Sequence, residues 1–377
     1  MTDGAKLRIY NTAKLLSKHY CVDLLITEVE LPDQSSIDTL ESEFNNVYIF
    51  QHSKWEFRRN IARSLISKRP AHSYYHIFDD VVDWIDDKTR YDLYYGTYIH
   101  SAEYLRDQQE PSVIDLVDSM SRNLLARAAN SSTLKRPMYY LEGKKLQKYE
   151  QKLLMDFNKI FVISASEKNF IKSDKNDISI IPNGVKNKYL QYDPSSGSNP
   201  SDKTIVAFFG KMDYLPNVDA VVHFANNIMP KITRTHPNVQ FRIIGADPSK
   251  KVQKLSNKDN VEVTGFVEDP PRHITNADIT VAPMRLGTGV QNKILESMAL
   301  SQPIVTTPLG QEGIMSSHRK HLLVGESDDE FAKLTKELIE SENDRTRIGR
   351  NARNLIDNQY TWSSVESELV ESIGLIL

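Results

Sequence analysis

Residues 278–307, with the sequence DITVAPMRLGTGVQNKILESMALSQPIVTT, decide the fold of this chain. The segment begins with an apolar strand pattern at residues 278–283 and continues into a glycine loop at residues 287–289. The apolar residues that follow recur at helical spacing, and a second apolar strand pattern occupies residues 303–307. Strand, glycine loop, helix and strand in this order predict a right-handed crossover unit of a parallel sheet.

Charged side chains around the predicted helix start indicate an anion site. Free backbone N–H groups and the positive end of the helix dipole favour an anion there. Arg285 precedes the glycine loop, and Lys293 lies in the first helical turn. A lysine at that position opposes the dipole, so an anion bound between the two cations best explains it. Glu296 shares the helix face of Lys293, and a diphosphate with ribose hydroxyls fits the set. An ordinary Lys–Glu surface pair is the alternative.

Length and composition limit the class of protein. The 377 residues exceed one ordinary core and predict two domains. A hydrophobic content of 40%, a mean hydropathy of -0.46 and the lack of an apolar run of about eighteen residues argue against a membrane-spanning helix. The single cysteine excludes an intrachain disulfide, and a net charge of -3 gives no overall attraction to nucleic acid. Since no signal segment opens the chain, we expect a cytoplasmic location.

The first half of the chain contains patterns that are read in two ways. The chain opens with a loop and a helix, where a doubly wound domain would have its first strand, so that strand is predicted to be missing. Residues 54–69 form a basic amphipathic helix with aromatic residues, which suits an anionic membrane surface. A helix packed on the sheet with a solvated basic side is the alternative.

Acidic residues mark two further places. Asp79, Asp80, Asp86 and Asp87 fall at helical spacing opposite an apolar face, so they predict a solvated acidic face and no metal site. Residues 91–96 and 112–121 read as strands. Asp115 and Asp118 are expected to point outward at the end of the second strand, where a helix cap is one role for Asp118.

Five motifs, in order, resemble those of family 4 (group 1) retaining glycosyltransferases. The motifs are IPNGV at 181–185, FFGKMDYLPNVDAVVHFANNIMP at 208–230, VTGFVED at 263–269, GTGVQNKILESMALSQPIVTTPLGQEGI at 287–314 and YTW at 360–362. More narrowly, the chain looks like a bacterial sugar-transferase branch associated with exopolysaccharides. The resemblance covers residues 4–362, and it implies an α/β GT-B fold with two Rossmann-like, doubly wound parallel-sheet domains facing across a cleft.

The resemblance also implies a domain layout. Residues 1–191 would form the acceptor-side Rossmann-like domain, and residues 203–360 would form the domain that binds the nucleotide sugar. Residues 192–202 are a linker by composition, because Pro, Ser, Gly and Asn occur there without an apolar period. The final helix, at residues 361–377, would cross back onto the first domain.

The resemblance assigns roles to particular residues. Lys211, Arg285 and Lys293 would hold the diphosphate, and Glu296 would hold the ribose. Backbone approach to the donor would involve Gly210, Gly245, Gly287, Gly289 and Val290. The donor sugar would face Thr288 and Gln291, the base would lie near Phe266, Asp118 would contact the sugar or acceptor hydroxyl together with Ser119 and Ser121, and Gly4, Lys6 and Arg8 would form the loop near donor and acceptor. One departure concerns Thr288, which replaces the first of two glutamates that the family often carries with seven residues between them; Glu296 matches the second.

The function implied is metal-independent transfer of a hexose-type sugar from a nucleoside-diphosphate sugar to a hydroxyl acceptor, without a cofactor. The acceptor would be a glycan or a lipid-linked molecule in bacterial surface-glycan synthesis, with peripheral contact to the inner face of the membrane. Three alternatives remain open: a GT-B nucleotide-sugar epimerase, a noncatalytic partner of another transferase, and a dinucleotide-dependent oxidoreductase. The last lacks a strand-linked GxGxxG with a downstream acidic residue.

Overall fold

The computed structural model describes residues 4–66, 69–87, 91–129, 131, 133–171, 178–193, 202–287 and 289–377. The chain divides into two compact units. The first comprises Met1–Asn183 and Val365–Leu377, and the second comprises Gly184–Ser364. The first unit therefore ends before residue 191, where the sequence pattern had suggested a boundary. Most of the predicted linker, residues 194–201, lies outside the described residues.

The first unit alternates helices and strands. Its elements in order are α1 (Gly4–Leu16), β1 (Asp23–Glu28), α2 (Gln34–Glu43), β2 (Asn46–Gln51), α3 (Lys54–Ile66), α4 (Ala71–Tyr74), α5 (Asp79–Asp87), β3 (Tyr94–Thr97), α6 (Tyr98–Leu105), β4 (Ser112–Val117), α7 (Met120–Ala129), α8 (Arg136–Asp156), β5 (Lys159–Val162), α9 (Ala165–Ile171) and β6 (Ile178–Ile180).

The strands of the first unit form two parallel sheets. β1 pairs with β2, and a four-stranded sheet has the order β3-β4-β5-β6. All six residues of β4 are buried, as expected for a strand covered on both faces. An apolar core joins this sheet to α5, α6 and α8 through residues such as Phe78, Ile114 and Leu146.

The second unit follows the same alternation. Its elements are α10 (Asn187–Leu190), β7 (Thr204–Phe209), α11 (Leu215–His223), a π-helical turn (Phe224–Ile228), α12 (Met229–Thr233), β8 (Val239–Ile244), α13 (Lys250–Gln253), a 3-10 turn (Lys254–Asn257), β9 (Val261–Gly265), α14 (Pro270–Thr275), β10 (Ile279–Ala282), α15 (Asn292–Ala299), β11 (Ile304–Thr306), α16 (Pro308–Gln311), β12 (Leu323–Val324), α17 (Asp328–Glu340) and α18 (Glu342–Gln359). The last helix, α19 (Trp362–Gly374), belongs to the first unit from Val365 onward.

The second unit contains a six-stranded parallel sheet with the order β9-β8-β7-β10-β11-β12. This is the strand order 3-2-1-4-5-6 of a doubly wound sheet. The strands β7 and β10 lie side by side at the centre, where the direction of the crossovers reverses. The predicted unit at residues 278–307 is confirmed as β10, α15 and β11, so the α/β class with parallel sheets in two domains is confirmed. Among the described residues, no helix is long and apolar enough to cross a membrane.

A buried ion pair fixes α1 in the first unit. Arg8 and Asp115 each expose only 1% of their side chains, and the Nη2 atom of Arg8 lies 2.9 Å from Oδ2 of Asp115. Nη1 of Arg8 also donates to the carbonyl oxygen of Ile181 at 2.8 Å and to Oδ1 of Asn183 at 2.9 Å. The phenol of Tyr95 donates to the same carboxylate at 3.0 Å.

Two expectations are corrected by this ion pair. Arg8 belongs to α1 and is buried, so it is not a cation on an open loop. Asp115 points into the unit and accepts hydrogen bonds, and does not face outward. The physical reason is that two opposite charges satisfy each other inside the unit, which the alternation of residues along one strand does not reveal.

Substitution of Arg8 tests how much this ion pair contributes to the free energy of unfolding. Arg8→Met should lower the free energy of unfolding by about 3–5 kcal/mol, because it leaves the carboxylate of Asp115 buried without its countercharge. Urea unfolding followed by circular dichroism measures the loss. The double variant Arg8→Met/Asp115→Asn should recover part of it, and Arg59→Met on the exposed face of α3 should change stability by less than about 0.5 kcal/mol. A loss below about 1 kcal/mol for Arg8→Met would contradict the argument.

Candidate functional site

The candidate site of the second unit lies at the carboxyl ends of β7 and β10. In open α/β sheets, ligands bind outside the carboxyl ends of the strands where the strand order reverses. Gly210 follows β7 directly, and the glycine loop that contains Gly287 and Gly289 joins β10 to α15. Chain connectivity therefore brings the predicted donor-binding loop to the reversal point of the sheet.

Glycines allow the backbone segments at this edge to approach closely. A Cβ atom on Gly245, at the end of β8, would overlap the carbonyl oxygen of Gly210. Both residues have positive φ angles, 153° for Gly245 and 148° for Gly210. In the loop after β10, φ is 116° at Gly287 and 73° at Gly289. Gly245 therefore approaches the backbone of Gly210 closely, and the approach of these glycines to a donor stays a prediction.

Lys293 is a partly buried cation at the start of α15. Its Nζ donates to Oδ1 of Asn217 at 2.6 Å and lies 5.0 Å from the ring centroid of Phe208. Burial lowers the pKa of Lys293 to about 8, while Glu296 opposes that shift. A buried ammonium group whose polar partner is a neutral amide gains from a bound anion, because the anion would replace lost hydration.

Asn217 is a residue that sequence reasoning did not assign to the site. Its amide connects Lys293 to the backbone, since Nδ2 donates to the carbonyl oxygen of Lys211 at 2.8 Å. Asn217 is only 4% exposed although it lies at the start of α11. The signal available in the sequence was an asparagine that directly follows a proline at the start of a helix.

Glu296 is held from a segment that the sequence analysis did not connect with it. Nζ of Lys186 lies 3.4 Å from Oε1 of Glu296, and the phenol of Tyr189 in α10 forms a side-chain hydrogen bond with the same carboxylate. Burial raises the pKa of Glu296, and the positive charge of Lys186 lowers it. Both partners directly follow the IPNGV motif, whose position beside α15 only the tertiary structure reveals.

The other two predicted cations have different surroundings. Nε of Arg285 lies 3.2 Å from Oδ2 of Asp219, and its Nη1 contacts the ring of His223. Nζ of Lys211 lies 3.1 Å from Oδ2 of Asp213, and its side chain is 62% exposed. These cations are screened by solvent and by neighbouring acids, whereas Lys293 is buried. The resemblance implies that all three hold the diphosphate, and the structure sets Lys293 apart by its burial.

The remaining predicted donor contacts lie in two places, at the start of α15 and after β9. Gln291 is the N-cap residue of α15, and its Nε2 donates to the carbonyl oxygen of Gly289 at 3.4 Å. Val290 is partly buried against the core of the unit, and Phe266, which follows β9, exposes 78% of its surface. An exposed aromatic ring is available for stacking. Thr288 lies outside the described residues.

A surface hollow lies beside the next strand of the sheet. Oγ1 of Thr307, after β11, donates to the carbonyl oxygen of Met284 at 2.6 Å and accepts from the backbone N–H of Gly310. These bonds tie the start of α16 to the loop that follows β10. The hollow has a volume of about 520 Å³, and its walls are Pro308, Leu309, Gln311, Glu312, Ile314 and Ser316. It extends the edge formed by β7 and β10 toward β11.

Asp118 is the candidate group of the first unit, and it follows β4. The preceding Val117 has φ of 62°, which is a strained conformation for a β-branched residue. Oδ1 of Asp118 is buried without a hydrogen-bond partner among the described residues. Burial raises the pKa of Asp118 to about 6, and the charge of Glu167 contributes. A strained turn that presents an unpaired carboxylate is typical of a functional position.

Other predictions for the first unit have different outcomes. The hydroxyl groups of Ser119 and Ser121 donate to Glu150 at 2.8 Å and 2.6 Å, so these serines support the fold and do not accompany Asp118 toward a ligand. Gly4 and Lys6 lie in α1, and their side chains are outside the described residues.

The acidic run at residues 79–87 forms α5, which buries Val81 and Ile85 and exposes its aspartates. One of them, Asp80, accepts a hydrogen bond from Nε2 of His52 at 3.0 Å. Within the part of the chain that the structure describes, no group of three or more His, Cys, Asp or Glu residues is arranged to hold a metal ion.

Comparisons with known proteins agree with the fold and with the motifs. Residues 203–341 match the family model described as "Glycosyl transferases group 1". An "Uncharacterized 44.6 kDa protein in cps region" from Klebsiella pneumoniae is 23% identical, over 97% of this chain and 95% of that protein.

Two solved structures are similar over nearly the whole chain. Anabaena Alr3699/HepE in complex with UDP and glucose has a TM-score of 0.65 at 16% identity, covering 99% of this chain and 96% of that chain. WaaG, a glycosyltransferase involved in lipopolysaccharide biosynthesis, has a TM-score of 0.64 at 14% identity, covering 99% and 97% of the two chains.

These findings confirm the resemblance drawn from the motifs. The fold is that of GT-B glycosyltransferases, and the chain is similar in sequence to group 1 enzymes of the family 4 type.

Glycine substitutions test the close approach at the site edge. Gly265→Ala, at φ of 70° with open space around a Cβ atom, should cost roughly 1–2 kcal/mol of stability from backbone strain alone. Gly245→Ala should cost about 1–3 kcal/mol more, because the ends of β7 and β8 must also separate. Thermal and urea unfolding of both variants measure the difference. Equal losses for the two variants would show that the overlap with Gly210 is relieved without cost.

Proposed function

We propose that the second unit binds a nucleoside-diphosphate sugar at the carboxyl ends of β7 and β10, and that the enzyme transfers the sugar to an acceptor hydroxyl with retention of anomeric configuration. The observation that carries this proposal is that a partly buried cation and a partly buried carboxylate lie together at the start of α15. Lys293 and Glu296 lie one helical turn apart, next to a glycine loop and free helix N–H groups.

Each group has a role that follows from its surroundings. Lys293, positioned by Asn217, and the N–H groups at the start of α15 stabilise the negative charge that grows on the diphosphate leaving group. Arg285 and Lys211 add positive charge from the solvent-exposed side. Glu296 accepts hydrogen bonds from the ribose hydroxyls.

The acceptor step needs no separate protein base in this proposal. The leaving phosphate oxygen takes the proton of the attacking hydroxyl, while Asp118 contacts the sugar or the acceptor. Thr288 and Gln291 face the donor sugar, and Phe266 lies near the base. Fixed cations and helix N–H groups supply the electrostatic stabilisation, so the proposed reaction is independent of a metal ion and of a cofactor.

The biological setting is proposed from the similar proteins. The Klebsiella pneumoniae protein is named for a cps region, and WaaG is named for lipopolysaccharide biosynthesis. HepE was solved with UDP and glucose, which supports a nucleotide-sugar donor. We therefore propose a role in bacterial surface-glycan or exopolysaccharide synthesis, in the cytoplasm, with a glycan or lipid-linked acceptor. Peripheral contact with the inner face of the membrane is part of this proposal.

A noncatalytic partner subunit is the second candidate, because Thr288 replaces the first glutamate of the family pattern. Incubation with radiolabelled UDP-, GDP- and ADP-sugars, with and without lipid-linked acceptors, separates the candidates. Acceptor-dependent incorporation of label supports transfer. Conversion of the donor without acceptor indicates an epimerase, and unchanged donor in every mixture indicates a noncatalytic partner.

Substitutions in α15 test the donor site. Lys293→Ala and Glu296→Ala should each cost about 2–4 kcal/mol of transition-state stabilisation, measured as the loss in kcat/KM for sugar transfer. Lys333→Ala, on the exposed side of α17, is the control and should leave kcat/KM unchanged. Near-normal turnover by both α15 variants would refute the assignment.

The pH dependence of donor binding tests the environment of Glu296. Burial raises its pKa, whereas Lys186, Tyr189 and Lys188 lower it, and Lys293 is the other charged group nearby. Only the ionised carboxylate of Glu296 can accept hydrogen bonds from two ribose hydroxyl groups. Lys186→Met therefore raises the pKa further, and the acid limb of donor affinity should move to higher pH while affinity at alkaline pH stays near that of the wild type.

Isothermal titration with nucleoside diphosphates from mildly acidic to mildly alkaline pH measures this displacement. Lys186→Arg keeps the positive charge and should follow the wild-type profile. If the acid limbs of Lys186→Met and the wild type coincide, the role given to Lys186 is contradicted.

A further inference from the structure

Helix α8 of the first unit has an uneven distribution of charge. Its acidic residues all turn toward the unit: Glu142 accepts from the backbone N–H of His72, Glu150 accepts from two buried serines, and Asp156 accepts from Arg106. The cations of α8 and of its N-cap residue are exposed, and they are Lys135, Arg136, Lys144, Lys145, Lys148 and Lys152. Among the described residues, none of these cations forms an ion pair, and Lys144 contacts only the neutral Gln147.

Large apolar side chains lie on the same outward side. Leu134 is 89% exposed, Met138 59%, Leu141 62% and Met155 81%. From Met138 onward, residues three or four places apart lie on one side of the helix. This stripe comprises Met138, Leu141, Lys145, Lys148, Lys152 and Met155, and Leu134 lies in the turn just before the helix. We call these residues, with Lys135, Arg136 and Lys144, the outer face of α8.

The basic helix α3, which the sequence pattern selected, is less suited to bind an anionic surface. Nζ of Lys54 lies 3.9 Å from Glu30, and Nη1 of Arg63 lies 3.6 Å from Asp79. Its own Glu56 adds another negative charge at the helix start. Trp55 is exposed, but the surrounding acids reduce the positive potential of this region.

We propose that the outer face of α8 is the surface by which this protein docks on an anionic phospholipid bilayer. Aliphatic side chains enter the boundary between headgroups and acyl chains, and the lysine stems extend along it with their ammonium groups at the anionic headgroups. Each basic residue near such a surface adds to the attraction, and no outward acid on α8 opposes it.

A helix of this length, about 30 Å, lies flat on the surface. Nucleic acid would use the cations and leave Leu134 and Met138 in water, so a bilayer accounts for more of the face. The proposal does not depend on the donor site, because it concerns binding to lipid and not sugar transfer.

Vesicle sedimentation of the full chain tests this surface. The wild type should sediment with vesicles of equal parts phosphatidylglycerol and phosphatidylcholine at low salt, and should stay in solution with pure phosphatidylcholine. Lys145→Glu/Lys148→Glu/Lys152→Glu should weaken the binding more than tenfold. Met138→Ser/Leu141→Ser, which keeps every charge, should weaken it severalfold through loss of apolar insertion.

The matched control reverses the same number of exposed lysines in the second unit: Lys250→Glu/Lys251→Glu/Lys254→Glu. It should bind like the wild type, and unchanged circular dichroism and melting temperature establish that all variants are folded. Arg58→Glu/Arg59→Glu on α3 should weaken vesicle binding less than the three lysine substitutions on α8.

Four results would overturn the proposal. They are no sedimentation of the wild type with anionic vesicles, equal loss in the α8 and control variants, a larger loss from the α3 variant than from the α8 variant, and retention on heparin or RNA without binding to vesicles.

Discussion

The reversal of strand order between β7 and β10 is the constraint on which the rest of the second unit depends. Because crossovers leave these neighbouring strands in opposite directions, no connection covers their carboxyl ends. The lack of a side chain on Gly210 leaves room at that edge for the side chains of Asn217 and Lys293, and the loop after β10 brings the start of α15 to it. Lys293 and Glu296 can then lie one helical turn apart, each with a partner from another part of the unit. Lys293 has Asn217, and Glu296 has Lys186 and Tyr189.

Charged side chains inside the two units are compensated by different kinds of partners. In the first unit, the ion pair of Arg8 and Asp115 is closed by further hydrogen bonds from Tyr95 and to the Ile181 carbonyl, so both charges are satisfied by the protein. In the second unit, the buried ammonium group of Lys293 has a neutral partner, and its lowered pKa reflects the incomplete compensation. A fully compensated pair stabilises a fold, whereas an incompletely compensated charge is suited to bind an anion. This difference distinguishes a structural arginine from a site lysine in the same chain.

Several elements could be predicted because their signals are local. The glycine loop, the apolar spacing of α15 and the buried runs of β7 and β10 lie within short windows, and their structure agrees with the pattern. Predictions were wrong where the role of a charged or polar residue was inferred only from its neighbours in the sequence. Arg8 was interpreted with the loop at the start of the chain, and Ser119 and Ser121 with Asp118, yet their partners come from β4 and α8.

The sequence by itself determined the alternation of strands and helices, the doubly wound class and the segment that starts the candidate donor site, because periodicity and glycine placement act over a few residues. Only the tertiary structure decided which charges are buried and which face solvent. Arg8 meets Asp115 across 107 positions, and Lys293 meets Asn217 across 76. The same is true of α8, whose acids turn inward because distant residues provide donors for them, which leaves its cations and aliphatic side chains outside. Such pairings depend on how the strands are ordered, and local sequence contains no measure of that order.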